Sequence, residues 1–409
     1  MHIFLNGLGA SAGAGLTYLY NVIPRLSAMP EVHTTLAVQP NLRDEFRGYA
    51  KVNTLAEAIP PSTAQRFWFE QSKLPKLIRQ SGADLLISAG NFALRSSPIP
   101  QILLSGNSLY TSRDFTHDLL RRRSYGMWLD TKIRGLFAKK SVHWADCTIA
   151  PTEAFAAELR RWTGGNVAAI HHGFNCEIFF SDQGSLPEEL KQKLASAADC
   201  LRLLFVSHYN YYRNFETLFR AIALLRAKLH GRRVRLFLTC RLNSDETPGT
   251  YKTDTAARLI SELELQDEIV QLGAIPYHAL HEIYHACDIY VTPAYTETFA
   301  HPLVEAMASG LPIIASDVSA HREICREALF FPPFSPQALA DRIVQLATDS
   351  NLMHRLAAHG QQRAHDFSWD CHVEQLLQLG RSYAADDASF SRADVEASSP
   401  KRWLRPNSQ

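Results

Sequence analysis

The sequence predicts an α/β protein made of two doubly wound, parallel-sheet domains. Three observations carry that prediction. Short apolar, β-branched runs alternate with longer stretches of helical period along almost the whole chain. The runs are close to continuously apolar rather than alternating, as strands covered on both faces require. The series also starts twice, on either side of a polar stretch without strand pattern, Phe180 to Arg202.

In the first half the strand candidates are His2 to Asn6, Thr35 to Val38, Asp84 to Ser88, Gln101 to Leu104, Cys147 to Ala150 and Val167 to Ile170. The second half offers Leu203 to Val206, Val234 to Leu238, Ile269 to Leu272, Ile289 to Thr292, Ile313 to Ala315 and Leu329 to Phe331. Helical stretches such as Phe215 to Lys228, Ala256 to Leu263 and Pro336 to Ala347 fall between them. The domains expected are 1–182 and 200–370, with a last amphipathic helix, 372–383, joining the first domain. From Ala384 to Gln409 the composition loses all periodicity, which predicts a disordered tail.

A chain of 409 residues with 46% hydrophobic and 20% charged content can fill two cores. Its formal net charge of +1 gives no global field to attract nucleic acid. The 7 cysteines are scattered, with no CxxC and no zinc spacing, so they read as small buried hydrophobes in a reducing compartment. No metal site and no cofactor are expected. The opening MHIFLNGLGAS lacks the pattern of a signal peptide, and no stretch is apolar enough to span a membrane. The expected location is cytoplasmic.

Gly7, Gly9, Gly13 and Gly15 follow the first strand and precede a helix starting near Leu16. Such a turn lets backbone amides approach a phosphate at the positive helix end. A dinucleotide fingerprint needs a third glycine one position earlier and an acid at the end of the second strand, where Gln39 stands. The alternative, a turn that merely needs glycine, stays open.

The most informative segment runs from Pro293 to Gly310 and holds Glu297 and Glu305, eight positions apart. A strand ends at Pro293, a loop carries Glu297, and a helix starts near Pro302 with Glu305 in its first turn. The free amides of Phe299, Ala300 and His301 point to a seat for phosphate or sugar oxygens. Two carboxylates placed this way can bracket the hydroxyls of a nucleotide sugar.

The segment resembles the E-x7-E signature of the retaining family-four glycosyltransferases, with Glu297 and Glu305 in register. Ser316-Asp317 and Arg322-Glu323 extend the resemblance, which covers nearly the whole chain. It implies a GT-B fold, in which two Rossmann-like domains face a central cleft. By resemblance, Glu305 holds the donor ribose, Glu297 lies beside the transferred sugar, and the amides of Phe299, Ala300 and His301 touch sugar and diphosphate. The family usually has an arginine after the first strand of the second domain and a lysine five residues later, gripping the diphosphate. Here Ser207 is followed by His208, and Arg213 comes at that spacing. Arg213 keeps the charge and adds a bidentate fork, whereas a neutral His208 offers one donor. Backbone at Gly273 and Ile275 is expected at the nucleobase, and Gly13 and Gly15 on the donor side. Asn107 stands where many relatives place a histidine near the reacting centre. His117 is a second candidate for that place, against the alternative of a surface residue near a helix start, and His171-His172 reads as a turn near the interdomain region.

The implied activity is retaining, metal-independent transfer of a sugar from a nucleotide diphosphate to a glycan, lipid-linked or small-molecule hydroxyl. Polysaccharide and cell-envelope biosynthesis are the expected settings. The alternatives are a nucleotide-sugar-binding protein without turnover, or an epimerase or phosphorylase of the same fold. Residues 121–140 carry seven cations against one acid, Asp130, interleaved with aromatic and aliphatic residues. That stretch is either an ordinary packed helix or a basic amphipathic helix at the inner face of a membrane, with Lys401 to Arg405 adding a weak contact.

Overall fold

The computed structural model describes residues 1–10, 13–60, 62–180, 186–243 and 251–386. The expectation for the tail therefore lies outside the described residues from 387 on, as does the middle of the seam, 181–185. The first strands and helices are β1 (His2–Asn6), α1 (Gly13–Ala28), β2 (His33–Val38), α2 (Arg43–Phe46), β3 (Val52–Ala56), α3 (Thr63–Ser81), β4 (Leu85–Ala89) and β5 (Gln101–Leu104). They are followed by α4 (Arg113–Arg121), α5 (Tyr125–Trp144), β6 (Cys147–Ala150), α6 (Glu153–Thr163), β7 (Val167–Ala169), α7 (Cys176–Phe179) and α8 (Glu188–Ala195). The second series holds β8 (Leu201–Phe205), α9 (Phe215–Lys228), β9 (Val234–Leu238), α10 (Asp254–Glu262), β10 (Ile269–Gln271), α11 (Leu280–His285) and β11 (Ile289–Thr292). It ends with α12 (His301–Ala308), β12 (Ile313–Ser316), α13 (Ser319–Cys325), β13 (Leu329–Phe331), α14 (Pro336–Thr348), α15 (Ser350–Ala364) and α16 (Trp369–Asp386).

The strands form two parallel sheets, one ordered β3-β2-β1-β4-β5-β6-β7 and one ordered β10-β9-β8-β11-β12-β13. Both have the Rossmann-like, doubly wound plan that the strand–helix alternation predicts. Strand β3 was not expected, because Asn53 and Thr54 interrupt its apolar run; as an edge strand it is only half-buried.

The chain divides into two compact units. Among the described residues, one comprises Met1–Leu104, His143–Cys147 and residues 373–386. Its core gathers Phe4, Leu8, Leu74, Ile78, Leu86 and Leu94. The glycine turn after β1 is tight: a Cβ on Gly7 would stand 3.0 Å from Leu19 and 3.1 Å from the Ala37 carbonyl. The last helix belongs to the same body, with Gly380 against Leu85.

The other unit comprises Ser105–Val142 and Thr148–His372. Its six-stranded sheet separates two cores, and the strand period decides which residue enters which. Leu201, Leu203 and Phe205 of β8, with Ile289 and Val291 of β11, enter one core. Leu204, Val206 and Tyr290 enter the other. The stretch 121–140 is not one helix: α4 ends, Arg123 adopts a φ of 55°, and α5 begins at Tyr125. A non-glycine residue with positive φ breaks the helical ladder.

Candidate functional site

The loop after β11 and the turn after β8 are fastened together before any substrate is considered. Asn210 caps the 3-10 turn Tyr211–Arg213 through the Arg213 amide at 3.0 Å. Asn214 follows with a φ of 56°, a conformation asparagine tolerates better than most residues. Its buried side-chain amide donates to the carbonyls of Pro293 at 3.1 Å and Pro333 at 2.6 Å. Tyr295 N–H donates to the Tyr212 carbonyl at 3.0 Å. The Tyr295 hydroxyl reaches Asp118 of α4 at 3.0 Å, and Arg122 links that helix to Glu216 of α9 at 2.8 Å. These bonds explain why Arg213 and Glu297 meet. Asn214→Ala is expected to lower unfolding free energy by about 2–4 kcal/mol, from two orphaned carbonyls and a strained alanine. Asn214→Gly should recover about 1 kcal/mol of that loss. Urea unfolding of the three proteins measures both.

Arg213 and Glu297 form an ion pair through Nη1 and Oε2. Burial opposes the charge on each, but the pairing outweighs it: Arg213 is held further above its ordinary pKa and Glu297 below its own. Glu297 Oε1 also accepts the Thr298 amide at 3.0 Å. The pair leaves Arg213 Nε buried without a hydrogen-bond partner among the described residues. A guanidinium with an unspent donor is equipped to receive an anion.

Beyond Glu297 the backbone turns sharply. Ala300 caps α12 with φ 63° and ψ 72°, a left-handed conformation that costs an alanine energy. The amides of Phe299, Ala300 and His301 donate to no group among the described residues, so the helix start presents three donors. Glu305 lies one turn further on than expected, in the second turn of α12. Its neighbours Leu303, Val304, Ala306 and Met307 are all buried, so the carboxyl is buried with them. Burial pushes its pKa up to about 7, against a 2.8 Å hydrogen bond donated by Tyr284. Glu297 is thus a paired carboxylate and Glu305 a carboxyl poised at neutrality.

Thr298 anchors the loop from both sides. Its carbonyl accepts from Thr152, the cap of α6, at 2.8 Å, and its hydroxyl lies 3.4 Å from the Gly106 carbonyl. The segment holding Asn107 therefore runs beside the Glu297 loop, and the Asn107 side-chain oxygen caps the next turn through Leu109 N–H at 3.0 Å. His208 sits exposed at the end of β8. Desolvation by its surroundings and the Arg213 charge lower its pKa below the ordinary value, against the pull of Glu297. Both effects favour the neutral ring. Ser207 N–H donates to Thr239 at 2.9 Å, and Gly273 holds a φ of 85° beside Arg241. Ile275 packs half-buried against the adjoining core. Gly13 and Gly15 lie in the other unit, where helix α1 starts at Gly13 rather than near Leu16. A Cβ on Gly15 would come within 3.3 Å of Ala10.

The remaining polar residues of the resemblance have local duties. Glu323 caps α6 by accepting the amides of Glu153 at 2.8 Å and Ala154 at 2.6 Å, and it takes His171 Nε2 at 2.6 Å. Arg322 pairs with Asp317 on the surface. His172 is stacked between His301 and Trp369, and burial holds it well below the ordinary histidine pKa. Gly173 is obligatory here, since a Cβ would meet the Trp369 amide at 2.1 Å. His117 is exposed on α4.

Sequence reasoning missed His321, Tyr284, Asn214 and Arg241. His321 is fully buried, its Nδ1 lies 3.1 Å from Ser316 Oγ, and its Nε2 has no partner among the described residues. The same Ser316 hydroxyl donates to the Ala294 carbonyl in the loop that carries Glu297, which places His321 beside the site. The one available signal was its position between Asp317 and Arg322, inside a segment that had already drawn notice.

Residues 187–363, which contain His208, Arg213, Glu297 and Glu305, match the family described as glycosyl transferases group 1. This segment is a glycosyl transferases group 1 domain. The group 1 domain lies almost wholly in the second series of elements. The chain is 26% identical over 264 residues to a D-inositol 3-phosphate glycosyltransferase of Kineococcus radiotolerans, covering 61% of this chain and 60% of that one. It spans between half and 60% of the length of such curated relatives. Among solved structures, a sucrose-phosphate synthase from Thermosynechococcus elongatus superposes with a TM-score of 0.75 at 21% identity, over 94% of this chain and 99% of that one. Anabaena HepE in complex with UDP-glucose superposes with a TM-score of 0.68 at 15% identity, over 93% of this chain and 100% of that one. These likenesses carry the group 1 domain and its neighbouring unit into the GT-B fold.

Proposed function

We propose that this protein is a retaining glycosyltransferase that moves a sugar from a nucleotide diphosphate to a hydroxyl acceptor without a metal ion. The observation that carries the reading is the arrangement at the group 1 domain: a paired Arg213 with an unspent donor, three amides at the start of α12 that donate to no group among the described residues, and a buried Glu305. UDP-glucose bound to HepE is consistent with such a donor.

In this reading Glu305 accepts the ribose hydroxyls, while Gly273 and Ile275 offer backbone to the base. Gly13 and Gly15 are assigned to the donor by the resemblance. Glu297 aligns the sugar and holds Arg213 in place. Arg213, His208, Ser207 and the amides of Phe299, Ala300 and His301 stabilise charge on the departing diphosphate, where fixed donors act most strongly. The bond from the anomeric carbon to the phosphate oxygen breaks as the bond to the acceptor oxygen forms on the same face. The acceptor proton passes to the leaving phosphate oxygen, and Asn107 orients the sugars. The acceptor is a glycan, a lipid-linked sugar or a small alcohol, and the site of action is the cytoplasm, in polysaccharide or cell-envelope synthesis.

One observation favours a second reading, nucleotide-sugar binding without transfer: a histidine, His208, stands where the family usually has an arginine, and burial and the Arg213 charge work against its protonation. Incubation with UDP-glucose and a panel of hydroxyl acceptors separates the two. UDP release that persists in EDTA, with an α-anomeric product by NMR, is expected. A β-anomer would overturn retention, and saturable binding without release would support the second reading.

A further inference from the structure

Helix α5 is packed the wrong way round for an ordinary surface helix. Along its second half the inner face is mostly small, with Gly135, Ala138, Ser141 and Val142 buried, while Met127 and Trp128 lie against the core nearer its start. Its large aliphatic and aromatic residues point outward: Tyr125 is 60% exposed, Leu129 53%, Ile133 47%, Leu136 64% and Phe137 37%. At roughly 100° per residue these five fall within an arc of about 120° and run for about 18 Å along the helix. Leu120, at the end of α4, is also exposed. A contiguous apolar stripe of this kind marks a surface that meets something other than water.

The charges around the stripe say what that is. Lys132 and Lys139 fall along one side of the arc and Lys140 at its far end, while Arg121 and Arg123 lie before its start. Two acids of these helices are already matched. Asp118 is buried under Arg121 and Arg122, and Asp130 is paired with Arg134. Arg123, Lys132 and Lys140 have no ion-pair partner among the described residues. An apolar stripe edged by uncompensated cations complements a bilayer with anionic headgroups: the rings and aliphatic chains enter the interface and the lysines meet the phosphates. Two copies of the chain packed through this face would instead set cation against cation.

We propose that the outer face of α5 seats this protein on an anionic membrane surface. The helix lies in the plane of the interface and does not cross it; no helix among the described residues is long and apolar enough to cross a membrane. Seating through α5 brings the protein to acceptors held at a lipid surface.

Sedimentation of the full chain with vesicles tests this independently of any transfer activity. Binding is expected to vesicles containing phosphatidylglycerol, to weaken as salt is raised, and to be far weaker on phosphatidylcholine alone. The pair Leu129→Asp with Leu136→Asp and the pair Lys132→Glu with Lys140→Glu should each lower the vesicle partition coefficient at least about tenfold. Their thermal melting should stay near that of the parent, because every substituted side chain is exposed. Absence of binding to anionic vesicles at low salt would overturn the proposal. So would equal binding to neutral vesicles, unchanged binding by both pairs, or a concentration-dependent dimer that the leucine substitutions dissolve.

Discussion

Arg213→Ala is expected to lower turnover of a nucleotide-sugar donor by about 10²- to 10³-fold, the loss typical of removing a fixed donor aimed at developing charge. The effect should fall mainly on kcat, since the charge to be stabilised grows as the diphosphate leaves. The substitution also strands Glu297 as a buried, unpaired carboxylate, which costs about 3–5 kcal/mol of stability. Arg213→Ala combined with Glu297→Gln separates the two effects. It leaves no buried charge, so it should melt close to the parent while remaining inactive. Arg213→Lys keeps the charge but replaces a planar fork by a point donor, and should be intermediate. Steady-state UDP release together with thermal melting reads out all three. A folded double variant with parental turnover would remove Arg213 from the mechanism.

Glu305→Gln is expected to weaken nucleotide-sugar binding by roughly 10²-fold at pH 8, the worth of hydrogen bonds to an ionised carboxylate. The same change should make the protein more stable at that pH. The sign follows from the folded-state pKa of about 7 against an ordinary 4.5. Raised by burial, the carboxyl favours folding while protonated, and that contribution is lost as pH rises from below 4.5 through 7. Glutamine removes the loss. Donor hydroxyls, by contrast, prefer the ionised form, so affinity in the parent should climb as pH rises through 7 and then level off. Titration calorimetry with UDP-glucose between pH 6 and 8 would show the slope in the parent and none in Glu305→Gln. A parental slope retained by the glutamine variant would assign it to another group that binds the donor better once deprotonated; His208 would give the opposite slope, because its proton favours the diphosphate.

The strand–helix alternation was readable because period and composition are local properties. Strands β1, β5, β9, β11 and β13 match their expected bounds. Strand β3 was not readable, because Val52–Ala56 owes its place to pairing with β2 rather than to its own pattern. The segment from Glu297 to Glu305 could be singled out from carboxylate spacing, the proline near the helix start and the closing glycine. His321 could not, since nothing in a single histidine tells whether its neighbours will bury it beside a carboxylate.

The sequence by itself determined the fold class, the two series of strands and the segment on which the candidate site is built. Each of these follows from propensities and periods that act over a few residues. Only the tertiary structure decided the ionisation states and the faces. Glu297 and Glu305 are the same residue type, eight positions apart. One is held as an ion because Asn214 and Tyr212 fasten Arg213 against it, and the other is pushed toward neutrality because α12 is buried around it. Helix α5 makes the same point in reverse. Its residues promised an amphipathic helix, and only packing through its own small side chains turned the apolar stripe outward. Desolvation and partnership depend on which distant segments meet, and those meetings are a property of the folded chain.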